Sequence, residues 1–298
     1  MFLAVRLPAS LGDKRERGRI FEVDVIKVKH KALNGDGKEI NPRDAVVPIF
    51  KEIGKGKLIV IGTGFYITRY GLFLTAKHVL DELFLEKKKS IGIAYICHRA
   101  SEDEVHLRRI LSVNLLESVD LAMGQADTYE IKYPNDPLAN YRCELSMHIP
   151  SEGEEVVTYA YPENEVLDFT NDNENPAVHC DFYEGKFLRY LEENERPFIP
   201  YPHYETTIQV KSGASGGPVF NRGKVIGVNC RGWDFGDDVE VNEHLSSIVP
   251  IKGVLDMVLG HIKVPKVSWE FSQIPKSRDP ASLSMIDLVN YGHVLLSD

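Results

Sequence analysis

Along most of this chain the apolar positions come in short alternating runs, and the three-and-four spacing of a helix is scarce. IFEVDVIKV (20–28) places Phe21, Val23 and Val25 in alternation, as a strand with one buried face requires. NGDG (34–37) after it predicts a turn, because Asn and Gly accept positive φ. Further strands are predicted at KLIVIGTGFYI (57–67), GLFLTA (71–76), SIGIAYI (90–96), SVDLAM (118–123) and EVVTYAY (155–161). ETTIQV (205–210), KVIGVN (224–229) and SSIVPI (246–251) complete the set. Gly, Pro, Asn or Asp separate them, so many short strands predict an all-β sandwich or barrel. Three short helices are expected. VLDELFLEKKK (79–89) and IKGVLDMVL (251–259) are two of them. The third is ASLSMIDLVNY, with Asp279–Pro280 as N-cap and first-turn proline and Gly292 as its stop. The polar stretches 162–176 and 192–204 read as long loops between strands.

Charge and cysteine content narrow the function classes. The 298 residues carry 35 Lys+Arg against 44 Asp+Glu, a formal charge of −9, which argues against a nucleic-acid partner. No uncharged apolar run approaches the ~20 residues a bilayer span needs, so no membrane partner is expected. The opening MFLAVRLPASLGDKRER carries its charges after a brief apolar stretch, the reverse of a secretory signal. Cys97, Cys143, Cys180 and Cys230 form no CxxC pair, which fits a reduced compartment, and a cytoplasmic location is the expectation. His179 and Cys180, as strand neighbours, point to opposite faces, so no metal or cofactor is expected.

The chemistry concentrates in three segments. In SGASGGPVF (212–220), Gly213, Gly216 and Gly217 leave Ser215 on a tight turn whose backbone N–H groups can converge on one point. Taken alone, the run reads equally as a Gly/Ser-rich hairpin loop. LTAKHVL (74–80) puts His78 at the end of an apolar strand, where a lone His is more often structural. SVDLAM embeds Asp120 between Val119 and Leu121, a placement that costs several kcal/mol unless the carboxylate is paired. Together the three have complementary needs. The carboxylate orients an imidazole, which takes the serine proton and passes it to a leaving amine.

In that chain order, His, Asp and Ser, the sequence resembles a trypsin-like (chymotrypsin-fold) serine peptidase of the bacterial type without disulfides. GTGFYI…GLFLTAKHV (62–79), VDLAM, GEEVVTYAYP (153–162), SGASGGPVFNRGKVIGVNCRG (212–232) and SSIVPIKGVL (246–255) carry the resemblance. It implies two six-stranded β-barrels packed together, with short C-terminal helices, over residues 45–260. Residues 1–44 and 261–298 would be N- and C-terminal extensions. It also implies an endopeptidase working through an acyl-enzyme, with His78, Asp120 and Ser215 catalytic and the N–H groups of Gly213 and Ser215 forming the oxyanion hole. Gln209 would lie near the floor of the specificity pocket. Asn229, Cys230, Arg231 and Gly232 would line its wall and pair with the substrate backbone. The implied partner is a protein or peptide substrate. An alternative is a catalytically idle or partner-gated module that holds peptides or a regulatory protein in the same cleft. Ala214 departs from the acidic residue that zymogen-activated relatives carry before the serine, and uncharged Gln209 gives no support to a Lys/Arg preference. Asp234, Asp237 and Asp238 are either a substitute charge or solvated turn residues.

Overall fold

The computed structural model describes residues 32–33, 38–54, 57–85, 94–101, 104–127, 129–130, 133–137, 140–161, 166–168, 180–209, 211–233, 245–255, 257–259 and 283–298. The expected strand at 20–28, the turn at 34–37, the Asp234–Asp238 loop and the Asp279–Pro280 cap lie outside them.

Two rings of antiparallel strands form the body. In the N-terminal ring, Val46–Gly54 pairs with Lys57–Tyr66 and with Ala94–Ser101. Glu104–Leu115 and Ala122–Ala126 follow, and Leu72–Thr75 joins the last of these back to Lys57–Tyr66. In the C-terminal ring the order runs Glu155–Ala160, Asp181–Leu191, His203–Thr206, Leu245–Pro250, Lys224–Trp233 and Pro218–Asn221, which returns to Glu155–Ala160. This is the trypsin-like double barrel that the resemblance implies. The larger apolar core fills the N-terminal barrel and the seam beside it, with Phe50, Phe65, Phe73 and Leu74 fully buried. A smaller cluster around Val156, Phe187, Val219, Ile226 and Ile248 lies within the other barrel.

Several elements differ from the sequence reading, each for a physical reason. Val46–Gly54 was hidden by Pro48, and Glu104–Leu115 by its Arg108–Arg109 pair. Arg108 is nonetheless fully buried, because the Tyr66 hydroxyl (3.1 Å), the Asn140 amide oxygen and the Asp127 carbonyl accept its protons. Asp120 stands in a bend before Ala122–Ala126, not within a strand. The strand expected at 205–210 is His203–Thr206, and it ends where the register with Asp181–Leu191 shifts between Phe187 and Arg189. The helix expected at 251–259 is only Lys252–Leu255.

The last helix, Met285–Asn290, is capped by Ser284 instead of Asp279. The Ser284 hydroxyl accepts the Asp287 N–H (3.3 Å), and the Asp287 carboxylate accepts the Ser284 N–H (2.9 Å). Gly292, with φ of 73°, stops it as expected. Leu283, Met285, Leu288 and Val294 then enter the main core. Leu296–Ser297 pairs in parallel with Leu145–Ser146, on the segment that joins the barrels. The described part of the C-terminal extension is thus built into the body. Cys143, Cys180 and Cys230 are buried free thiols. No helix among the described residues is long and apolar enough to cross a membrane.

Candidate active site

His78 lies in the first turn of the helix Lys77–Leu85, which starts just after the strand Leu72–Thr75 ends. Buried Val79 and Leu80 anchor that turn, while the His78 side chain stays half exposed. The first N–H groups of a helix lack partners within it. Asp120 supplies one: its Oδ1 accepts the His78 backbone N–H at 3.0 Å. Its Oδ2 lies 2.8 Å from His78 Nδ1. One carboxylate therefore fixes both the helix start and the ring. With Asp120 ionised, Nδ1 carries the proton and Nε2 is left as the acceptor. Burial pushes the Asp120 carboxyl up, but the hydrogen bonds and charge of His78 outweigh it and hold it below the ordinary carboxylate value.

Ser215 is positioned from the other barrel, by backbone. Ala214 N–H donates to the Lys211 carbonyl (3.1 Å), closing a four-residue turn with Gly213 at φ 90°. A turn with positive φ only at its third residue is type II, and glycine suits it because it has no Cβ to clash. Gly216, at φ 88°, goes further: a Cβ there would lie 2.0 Å from the Thr63 carbonyl and 2.1 Å from Thr75 Oγ1. The bare glycine lets the serine turn press against the end of the strand that leads to His78. Two polar residues lock the turn. Thr63 N–H donates to the Ser215 carbonyl (2.9 Å), and Thr63 Oγ1 donates to the Gly213 carbonyl (2.9 Å). Asn229 Nδ2 donates to the Ala214 carbonyl (3.0 Å).

Cys230 ties the halves together. Its carbonyl accepts the Ser215 hydroxyl (3.2 Å), and its thiol donates to the Asp120 carbonyl (3.3 Å). Burial, and next the Asp120 charge, push this thiol well above its ordinary pKa, so it stays protonated. The serine hydroxyl therefore points at the strand Lys224–Trp233, through the Cys230 carbonyl.

A family model described as a trypsin-like peptidase domain matches residues 62–228, more than half of the chain, and spans His78, Asp120 and Ser215. The chain belongs to the trypsin-like peptidases. Among solved structures it is similar to Deg5, at 18% identity and a TM-score of 0.49, over 71% of this chain and 85% of that one. It is also similar to the Rv3671c protease from M. tuberculosis: its active form is 17% identical with a TM-score of 0.44, over 71% of this chain and 79% of that one. The inactive form gives 17% and 0.42, over 71% and 85%. No curated protein matches the chain.

In this trypsin-like chain the expected pocket residues divide. Asn229 is only 1% exposed and its side chain donates to the Ala214 carbonyl, so it supports the serine turn. Gln209 is exposed on the stretch after His203–Thr206. Arg231 and Gly232 are exposed one and two residues beyond Cys230. A cavity of about 450 Å³, lined by Val119, Ile149, Tyr190, Tyr204 and Lys252 among others, opens behind the Asp120 bend and touches neither His78 nor Ser215. Thr63 escaped the sequence reading. A single polar residue between two glycines, in an otherwise apolar strand, was the signal available for it.

Proposed function

We propose that the chain is a serine endopeptidase that hydrolyses peptide bonds through an acyl-enzyme, with His78, Asp120 and Ser215 as its catalytic residues and the N–H groups of Gly213 and Ser215 as its oxyanion hole. The observation that carries this reading is the 2.8 Å contact of Asp120 with His78 Nδ1, which leaves Nε2 as the ring's proton acceptor. In the first step the Ser215 hydroxyl turns from Cys230, yields its proton to Nε2, and Oγ attacks the carbonyl carbon. The imidazolium, stabilised by Asp120, then protonates the leaving amine. The type II turn supports the oxyanion role of Gly213, since the opposite orientation of the Ser212–Gly213 peptide would present a carbonyl oxygen instead. A cytoplasmic location and a protein or peptide substrate belong to the same proposal.

The present direction of the serine hydroxyl favours a second reading, a gated peptidase whose Ser215 is aligned only when a substrate or partner engages Cys230. A fluorophosphonate probe on the purified full chain tests both. Labelling at Ser215 without additions supports the constitutive enzyme, and labelling only after a peptide is added supports gating. Ser215→Ala should abolish labelling and reduce kcat on the order of 10⁴–10⁶. Hydrolysis that survives this substitution would remove the assignment.

A further inference from the structure

We infer that Arg231 selects an acidic side chain on the substrate, at the residue immediately before the one that supplies the scissile carbonyl. The inference rests on the serine peptidase reading above. Ser215 Oγ touches the Cys230 carbonyl at 3.2 Å, so a residue acylated on Ser215 sits beside Cys230. From there a peptide has one free edge to follow. Toward Asn229 the strand is taken: its N–H donates to the Gly217 carbonyl (2.9 Å) and its carbonyl accepts the Gly216 N–H (2.7 Å). Toward Arg231 and Gly232 the chain is exposed, and its far side is paired with Ser247 and Ser246.

This blockage also fixes direction. A parallel peptide would send its upstream residues onto Asn229. An antiparallel one sends them along Arg231 and Gly232, extending the sheet by one strand. Its next upstream residue then stands opposite Arg231, and cross-strand neighbours share a face with Cβ atoms about 4.5–5.5 Å apart.

Arg231 suits an anionic partner there. It forms no ion pair among the described residues, whereas the nearby cations are engaged: Lys77 with Glu117 at 3.5 Å and Lys211 with Asp181 at 4.0 Å. Its positive charge favours the ionised forms of both the Asp120 carboxyl and the Tyr201 phenol, so it acts within electrostatic reach of the site. The planar fork of donors matches a carboxylate in two-point fashion. Gly232, the next residue, adds no side chain to compete.

The test separates selection from catalysis. Full-length Ser215→Ala is titrated with labelled decapeptides that differ only by Asp, Asn or Lys at the position in question, read by fluorescence anisotropy. An exposed pair predicts that Asp binds about fivefold tighter than Asn, with Lys weakest, and that 1 M salt erases the difference. Arg231→Gln should make Asp and Asn equal, and Arg231→Glu should reverse the order. Equal binding of the three peptides, no binding of the Asp peptide at millimolar concentration, or an order unchanged in Arg231→Glu overturns the inference. Probe labelling of the parent chain is scored separately: the predicted order with no labelling at Ser215, even with the Asp peptide present, upholds the contact between Arg231 and the acidic side chain and overturns the peptidase reading.

Discussion

His78 and Asp120 are fastened to each other by charge and side-chain hydrogen bonds, whereas Ser215 is fastened by backbone bonds and by side chains that are missing. The first pair sits on a helix start and a bend of one barrel, and its geometry depends on which groups are ionised. The serine turn belongs to the other barrel, and its geometry depends on space: a Cβ at Gly216 has no room, and one at Gly217 would lie 2.9 Å from the Tyr159 carbonyl. A site shared between two barrels can thus be damaged in two independent ways. One half is sensitive to electrostatics and the other to volume.

Three experiments separate these sensitivities. Asp120→Asn should have the largest effect, about 10⁴ in kcat, because an amide oxygen cannot stabilise the imidazolium and the amide NH₂ favours the wrong tautomer. Single-turnover kinetics on a peptide ester would measure it, and a loss under tenfold would show that His78 does not depend on its partner. Gly216→Ala should cost about 2–5 kcal/mol in urea denaturation, combining a left-handed backbone with overpacking against Thr63 and Thr75. A neutral result would mean that the turn is free to back away from the first barrel.

The smallest effect concerns acid. The folded Asp120 carboxyl titrates below its ordinary value, so its contribution to stability is present above the ordinary Asp pKa of about 3.9 and is lost as pH falls through the lower, folded value. The stability difference between the wild type and Asp120→Asn should therefore be about 1 kcal/mol or less at pH 7 and shrink below pH 4. A difference that grows on acidification reverses the sign and breaks the contrast.

What the sequence disclosed follows the same division. The serine turn was legible because glycine and serine at fixed offsets leave a local mark, and the strand and helix around His78 alternate strongly. Asp120 was visible as a charge among apolar neighbours, although its bend was read as strand. The groups that lock the site were hidden because their partners are far along the chain. Thr63 bonds to Gly213 across 150 residues, and Asn229 reaches the Ala214 carbonyl from a different strand. Arg108 is the extreme case. A cation in a strand reads as exposed, and only the convergence of Tyr66, Asn140 and Asp127 makes its burial affordable.

The parallel pairing of Leu296–Ser297 with Leu145–Ser146 bears on how the molecule is made. A chain emerging from the ribosome presents residues 140–147 about 150 positions before it presents their cover, since Arg142 bonds to the His293 carbonyl and Met147 N–H to the Ser297 carbonyl. Both rings can pair their strands once Pro250 has been translated, but the core positions reserved for Leu283, Met285, Leu288 and Val294 stay unfilled. At roughly 5–20 residues per second, that interval lasts on the order of seconds. During it the nascent protein carries a completed serine turn beside a seam not yet sealed, so the synthesis of residues 251–297 is a window for chaperones, and equally for proteolysis.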